Sequence, residues 1–151
     1  MEAVHPFITR LLKLAGDWLR CNAGEPPYYL WVLEAPPHRG LHLHYAVHVP
    51  LDLRRAFVEL QRSRWVYAAG ALRKRRVLRS KSIRYSNTPA PCREYVDLGI
   101  GGLLAYLLKG TDPSACTDFR IRHQYQGVII GKRCGTSQAL GPKARHLWEI
   151  A

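Results

Sequence analysis

The stretch Gly40-Leu41-His42-Leu43-His44-Tyr45-Ala46-Val47-His48-Val49-Pro50 alternates between two kinds of side chain. Its apolar positions fall on one side, at Leu41, Leu43, Tyr45, Val47 and Val49. The other side carries Ala46 and three histidines, His42, His44 and His48. Because successive side chains of a β-strand point to opposite faces, this pattern predicts a half-buried strand near 41–49, with imidazoles on its open face.

A second strand is predicted upstream, near residues 28–34. The run Tyr28–Leu33 is rich in aromatic and β-branched residues and ends at Glu34. The Ala35–Gly40 connection contains two prolines and a glycine, which favours an antiparallel hairpin with the histidine strand. Its register decides where Glu34 lies: on the histidine face when paired with His42 or His44, but in the core when paired with Leu41. The cost of burying an unpaired carboxylate favours the first register.

Glu34, His42 and His44 form a candidate metal site. The two histidines are two positions apart on the predicted strand, so their side chains project the same way, about 7 Å from each other. Two imidazoles and a carboxylate, with positions left open for water or substrate, are typical of a catalytic metal site. A solvated face with incidental histidines is the alternative interpretation.

The pattern apolar-His-apolar-His-apolar-apolar, with Glu34 in the partner strand, resembles the second motif of the HUH endonucleases. This family comprises rolling-circle replication initiators and related transposases. Its other diagnostic motif is a tyrosine on a downstream helix, followed three residues later by lysine, and Tyr106-Leu107-Leu108-Lys109 matches it. The resemblance covers roughly residues 28–112.

The length of 151 residues predicts a single domain, residues 1–151, and the resemblance implies an α+β fold for it. This fold is a HUH/Rep-like variant of the ferredoxin-like or RRM-like arrangement, with a central antiparallel sheet and flanking helices. The histidine strand is expected in the middle of the sheet, and the tyrosine helix across its metal face. The family places a further strand before its first helix, and there is no room for one here. Either the chain is a truncated or late-started version of the family, or its sheet lacks the first strand, and a missing strand would expose a sheet edge.

The resemblance also implies a reaction. Tyr106 would attack a phosphodiester of single-stranded DNA, at an origin or a hairpin, and form a 5′-phosphotyrosine. Glu34, His42 and His44 would hold Mn²⁺ or Mg²⁺, and Lys109 would position the metal or the phosphate. The process implied is rolling-circle replication or transfer of a plasmid, phage or other mobile element in the cytoplasm. A host helicase or polymerase is a further candidate partner.

The composition is strongly basic. Lys and Arg outnumber Asp and Glu by 23 to 11, which gives a net charge of +12. This balance favours a polyanionic partner, with nucleic acid the first candidate and an acidic membrane surface the second. No apolar run approaches the roughly 18 residues needed to span a bilayer, so a membrane protein is not expected. The four scattered cysteines suit reduced thiols in a cytosolic protein.

Residues 73–84 concentrate positive charge. Apolar residues such as Val77, Leu78 and Ile83 interrupt the run, which predicts a basic β-hairpin with a strand near 82–86. Its cations are candidate contacts to DNA phosphates, and such contacts weaken steeply with salt. A solvated charged face is the alternative. The seven cations are Arg73, Lys74, Arg75, Arg76, Arg79, Lys81 and Arg84.

Helical periodicity predicts four helices. The first begins near Pro6 and stops at the Asn22-Ala23-Gly24 signal. The others are a segment capped by Asp52, a segment from Asp97 to Leu108, and a short one from Gly141-Pro142 to Trp148. In the third, Gly99, Gly102, Tyr106 and Lys109 line one stripe, and the glycines predict a close approach. Alternation also predicts a strand over 119–126.

Two other functions remain open at this stage. One is a catalytically impaired, basic DNA- or RNA-binding module of the same fold, for which the missing first strand is the argument. The other is a metal enzyme of another class, because two histidines and a carboxylate also bind iron in oxygenases. The high positive charge argues against a small-molecule oxygenase.

Overall fold

The structure is a computed structural model that describes residues 4–71, 78–83 and 93–149. It has an α+β fold that contains six α-helices and a small antiparallel sheet of three strands within the described residues. None of the helices in these ranges combines the length and apolarity needed to cross a bilayer. The helices are α1 (Val4–Ala23), α2 (Arg54–Leu60), α3 (Val66–Ala68), α4 (Arg93–Leu108), α5 (Pro113–Asp118) and α6 (Pro142–Glu149). The strands are β1 (Tyr29–Glu34), β2 (His42–Val47) and β3 (Cys134–Thr136).

The three strands lie in the order β2-β1-β3. β1 pairs antiparallel with β3, with Leu30 opposite Thr136 and Val32 opposite Cys134. A tight turn precedes β2, in which the Pro36 carbonyl accepts hydrogen bonds from the backbone N–H groups of Arg39 and Gly40. The strands expected near 28–34 and 41–49 are therefore confirmed.

The expectation that the histidine strand lies in the middle of the sheet is wrong. Within the described residues β1, which carries Glu34, is central, and β2 is an edge strand. The predicted strand over 119–126 is also wrong, because residues 121–129 run without regular structure and the third strand comes later.

The predicted basic hairpin is not formed in the part that the structure describes. Residues 78–83 are irregular, so the strand predicted near 82–86 has no support at residues 82 and 83. Arg79 and Lys81 are exposed. The other predicted phosphate contacts, Arg73, Lys74, Arg75, Arg76 and Arg84, lie outside the described residues.

The described residues fall into two compact units. The first consists of the segments Met1–Tyr28, Val47–Lys81 and Ser137–Ala151, and it contains α1, α2, α3 and α6. Its aromatic core joins Trp18 of α1 to Phe57 of α2 and to Trp65, whose ring centroids lie 5.7 and 5.8 Å from that of Trp18. Four apolar residues at helical spacing on α1, Ile8, Leu11, Ala15 and Leu19, are buried.

The second unit consists of Tyr29–Ala46 and Ser82–Thr136. It contains β1, β3, β2 up to Ala46, α4 and α5, and every residue of the predicted metal and nucleophile sites. α4 begins at Arg93, four positions before the predicted start at Asp97. The helix predicted after Asp52 begins with a 3₁₀ turn at Leu51–Leu53 and has no side-chain cap, so the capping role given to Asp52 is wrong.

Candidate metal and nucleophile site

Glu34 is the buried centre of the candidate site. It ends the central strand β1 and is 2% exposed, although it is a carboxylate. The preceding residue, Leu33, points to the opposite face and is buried as well, so both faces of the sheet are covered at this end. Since an isolated buried carboxylate is unfavourable, the neighbours of Glu34 have to compensate its charge.

His42 and His44 extend over Glu34 from the neighbouring strand β2. Nε2 of each histidine lies 3.3 Å from Oε2 of Glu34. Their rings meet edge-on, with centroids 4.8 Å apart. Glu34 therefore lies on the histidine face, as the favoured register predicted.

The two histidines present the same nitrogen to Glu34. Nδ1 of His42 lies 2.9 Å from the Gly40 carbonyl oxygen, which only accepts hydrogen bonds, so Nδ1 carries the proton. In the neutral ring, Nε2 then keeps its lone pair for a metal ion. His44 is half-buried, and this burial lowers its pKa from the ordinary value of 6.5. The charges of His42 and Lys109 act in the same direction and Glu34 opposes them, so the neutral, metal-binding form of His44 is favoured.

The geometry of Glu34, His42 and His44 fits a divalent cation. One ligand atom from each residue lies within 4.8 Å of the others. Ligands bonded to one cation at about 2.1 Å lie about 3 Å apart at adjacent positions, close to the 3.3 Å observed between Oε2 and each Nε2. The second oxygen, Oε1, is buried and accepts no hydrogen bond from the described residues. A metal ion would satisfy this carboxylate.

Lys109 is the other charged partner of Glu34. It is 8% exposed, and Nζ lies 3.3 Å from Oε1. This contact is an ion pair without hydrogen-bond geometry, so charge compensation, rather than a directed bond, joins the two groups. The same Nζ lies 3.3 Å from the centroid of the Tyr106 ring, in the arrangement of a cation–π contact.

Tyr106 brings a hydroxyl group to the histidines. Its Oη lies 3.3 Å from Nε2 of His44, and the two rings meet at 90° with centroids 5.1 Å apart. The side chain is 42% exposed. The structure thus brings together all five residues predicted for the metal and nucleophile sites, namely Glu34, His42, His44, Tyr106 and Lys109.

Gly102 and His48 lie outside the direct contacts of the candidate site. A Cβ atom added at Gly102 would meet no atom of the described residues within 4 Å, so the close approach predicted there is wrong. His48, the third histidine of the alternating stretch, is not part of this group of ligands and packs edge-on against Tyr28 with centroids 6.3 Å apart.

The support for the site from residues 124–127 was not predicted. The Gln124 N–H donates to the Lys109 carbonyl at 2.7 Å, and the Ala35 N–H donates to the Gln126 carbonyl at 2.9 Å. Gly127 has a φ of +73°, and a Cβ atom there would lie 1.9 Å from the Ala35 carbonyl oxygen. Gly127 is a sequence signal for this conformation, because glycine adopts a positive φ readily.

No protein-family model, curated protein or solved structure matches this chain. The residues of the candidate site and their geometry are therefore the basis for proposing a function.

Proposed function

We propose that this protein is a metal-dependent nicking and joining endonuclease for single-stranded DNA, with Tyr106 as its nucleophile. The observation that carries the proposal is the 3.3 Å contact between the Tyr106 hydroxyl and Nε2 of His44. This contact brings a phenol next to Glu34, His42 and His44. Within the described residues, these three form the one group of side chains that fits a metal ion. The net charge of +12 suits a nucleic-acid substrate.

The proposed reaction is a phosphoryl transfer to tyrosine. A bond forms between Oη of Tyr106 and the phosphorus, the phenol loses its proton, and the bond from phosphorus to the 3′ oxygen breaks. The 3′ oxygen takes a proton and leaves as a free hydroxyl, while the 5′ end stays on the enzyme. Since one phosphate ester replaces another, the reverse reaction rejoins the strand.

Glu34, His42 and His44 would hold the cation for this reaction. Mn²⁺ should bind this set of ligands more tightly than Mg²⁺, whereas Mg²⁺ is also suited to carboxylate and phosphate oxygens. When bound, a divalent cation supplies positive charge that offsets the charge building on the phosphate.

Lys109 would act on the nucleophile and on the carboxylate together. Its ammonium lies against the Tyr106 ring, where a positive charge favours the negative charge that develops on the phenol during attack. Its pairing with Glu34 also holds this carboxylate in place before a metal ion binds. Both effects require a cation at position 109.

A binding module without nicking activity is the second candidate. The observation that favours it is the Lys109 ammonium, which already compensates the Glu34 charge, so the buried carboxylate does not depend on a metal ion. The edge position of β2 within the described sheet also agrees with a reduced version of the family fold. Such a module would bind single-stranded DNA or RNA and would not need the Tyr106 hydroxyl.

The two candidates differ in whether a covalent adduct forms. The full-length protein is incubated with a labelled pool of random single-stranded oligonucleotides, with Mn²⁺ or with a chelator, and analysed on a denaturing gel. We expect a metal-dependent band of protein joined to DNA that disappears in Tyr106→Phe. The matched control is Tyr28→Phe, which removes a phenol hydroxyl outside the cluster, keeps the ring that packs on His48, and should keep the adduct.

The affinity of Tyr106→Phe completes the test. Only the chemical step needs the hydroxyl, so the affinity for single-stranded DNA should stay within a few-fold of wild type. An adduct that persists in Tyr106→Phe would refute the assigned nucleophile. Salt-sensitive binding by wild type, with no adduct under any metal condition, would select the binding module.

A further inference from the structure

The chain between α5 and β3 forms an irregular segment, Phe119–Arg133, which we call the 119–133 segment. It has neither a helix nor a strand over residues 121–133. Although its backbone is irregular, this segment is held by specific hydrogen bonds to two neighbouring parts of the chain. Its position in the second unit, which also contains the candidate site, makes its surface relevant to the substrate.

The 119–133 segment is anchored to both elements that carry the candidate site. Gln124 donates its N–H to the carbonyl of Lys109, directly after α4. Gln126 is buried and accepts from the N–H of Ala35, directly after Glu34. Tyr125 therefore lies between two anchored residues, and its backbone is fixed beside the ends of β1 and α4.

Large apolar side chains of the 119–133 segment project into solvent. Phe119 is 65% exposed and Tyr125 is 63% exposed, while Val128 and Ile130 are each 75% exposed. Single exposed apolar residues are common on protein surfaces, but four within 12 positions form a group that suggests a binding partner.

The charges of the 119–133 segment identify the kind of partner. The segment contains no Asp or Glu in the sequence. Arg120, Arg122 and Lys132 are basic and exposed. Exposed cations without acidic neighbours in the segment favour an anionic polymer over an ordinary protein surface.

We infer that the 119–133 segment binds single-stranded nucleic acid, with Tyr125 and Phe119 stacking on unpaired bases and Arg120, Arg122 and Lys132 contacting phosphates. Aromatic rings combined with cations are how proteins hold unpaired strands, because every base offers a flat face and every nucleotide a charge. Duplex DNA hides its base faces within the stack, so it would use the cations alone. The inference extends the proposed function, since this segment would hold the strand next to Tyr106 and the metal ligands.

Equilibrium binding in chelator tests the inference without any nicking. Full-length protein is titrated into labelled oligonucleotides about 20 nucleotides long, and fluorescence anisotropy is followed. Three probes are compared: oligothymidine, an abasic strand with the same phosphates, and a duplex. Tyr125→Ala and Phe119→Ala should each weaken oligothymidine binding on the order of tenfold, yet change binding of the abasic strand and the duplex less than twofold.

Two further variants separate stacking from charge. Tyr125→Phe keeps the ring and should bind oligothymidine like wild type. Arg122→Ala should weaken all three probes and lower the slope of log affinity against log salt by roughly 0.7 on the single strands. Matched controls in the first unit are Leu51→Ala, which removes an apolar side chain that is 67% exposed, and Arg10→Ala, which removes one exposed charge. Leu51→Ala should leave binding unchanged, and Arg10→Ala should change it less than Arg122→Ala.

The outcomes separate this inference from the proposed nuclease. Unchanged oligothymidine binding in both Tyr125→Ala and Phe119→Ala would overturn the inference, as would an equal loss on the abasic strand. Preferential loss of binding to anionic lipid vesicles in these variants would overturn it in favour of a membrane surface. None of these results depends on the adduct, and absence of the adduct with intact, Tyr125-dependent binding would overturn the nuclease alone.

Discussion

The hydroxyl of Tyr106 lies 3.3 Å from Nε2 of His44, although 62 positions of the chain separate the two residues. Tyr106 is on α4 and His44 is on β2, so their contact requires the helix to be held against the sheet. The 119–133 segment provides part of this connection, because Gln124 bonds to the Lys109 carbonyl and Gln126 bonds to the Ala35 N–H. The geometry of the candidate site thus depends on a segment that contributes none of its five predicted residues.

Mn²⁺ should stabilise the wild-type protein against heat. A ligand that binds only the folded state at 100 times its dissociation constant adds about 2.7 kcal/mol, which corresponds to an increase in Tm on the order of 5–10 °C. Glu34→Gln, His42→Ala and His44→Ala should each lose most of this increase in a thermal melt, because each removes one of the clustered ligand atoms.

The control for this measurement is His48→Ala. His48 belongs to the same alternating stretch, but it packs on Tyr28 and lies outside the cluster. Its variant should keep the full Mn²⁺ effect. An equal loss in His48→Ala would mean that Mn²⁺ acts elsewhere on the protein.

The elements that the sequence predicted well depend on short-range patterns. The 2-residue period of the histidine stretch predicted β2, and helical spacing around Trp18 predicted α1, which ends at Ala23 just before the Gly24 turn signal. The grouping of Glu34 with His42 and His44 was predicted from the short connection between β1 and β2. This connection allows few pairing registers, and only some of them avoid an unpaired carboxylate in the core.

The elements that were missed depend on long-range contacts. β3 contains three residues, Cys134-Gly135-Thr136, too few for a visible alternation, and its partner strand β1 is about 100 positions earlier. Residues 119–126 alternate like a strand, but the backbone bonds from Gln124 and Gln126 hold them in an irregular path. Lys109 was predicted to contact metal or phosphate, and its pairing with Glu34 became visible only once both side chains were placed.

Removal of the Lys109 charge should destabilise the protein when no metal is present. Lys109→Met leaves the buried Glu34 carboxylate without its ammonium partner, and breaking a buried pair in this way costs about 3–5 kcal/mol. Urea denaturation in chelator would measure this loss. We further expect Mn²⁺ to stabilise Lys109→Met more than wild type, because the cation then replaces the missing charge.

The double variant Lys109→Met with Glu34→Gln is the control for this ion pair. It removes both charges, so it should regain much of the free energy of unfolding lost in Lys109→Met. Equal stability of Lys109→Met and wild type would show that the Glu34 carboxylate does not rely on Lys109.

Acid should lower the stability of the metal-free protein through His44. Burial lowers the pKa of His44 below 6.5, so the unfolded chain binds a proton more readily than the folded protein does. The contribution of neutral His44 to the free energy of unfolding is fully present above about pH 6.5. It is lost as the pH falls through the lower pKa of His44 in the folded state. The Tm measured in chelator should therefore fall as the pH is lowered from about 7.5 to 5. In His44→Gln, Tm should depend less on pH over this range. A wild-type Tm that rises on acidification would contradict the sign of the effect.

Gly127→Ala should disrupt the support of the candidate site. Gly127 has a φ of +73°, and an added Cβ atom would overlap the Ala35 carbonyl oxygen at 1.9 Å, next to Glu34. Gly40→Ala is the matched control, because Gly40 has a φ of +67° but no described atom within 4 Å of an added Cβ. The backbone conformation alone should cost about 1–2 kcal/mol in Gly40→Ala. Gly127→Ala should cost roughly 1–3 kcal/mol more, since the carbonyl must move, and Mn²⁺ affinity should fall with it. Equal urea midpoints for the two variants would show that the turn at Gly127 does not hold Ala35 in place.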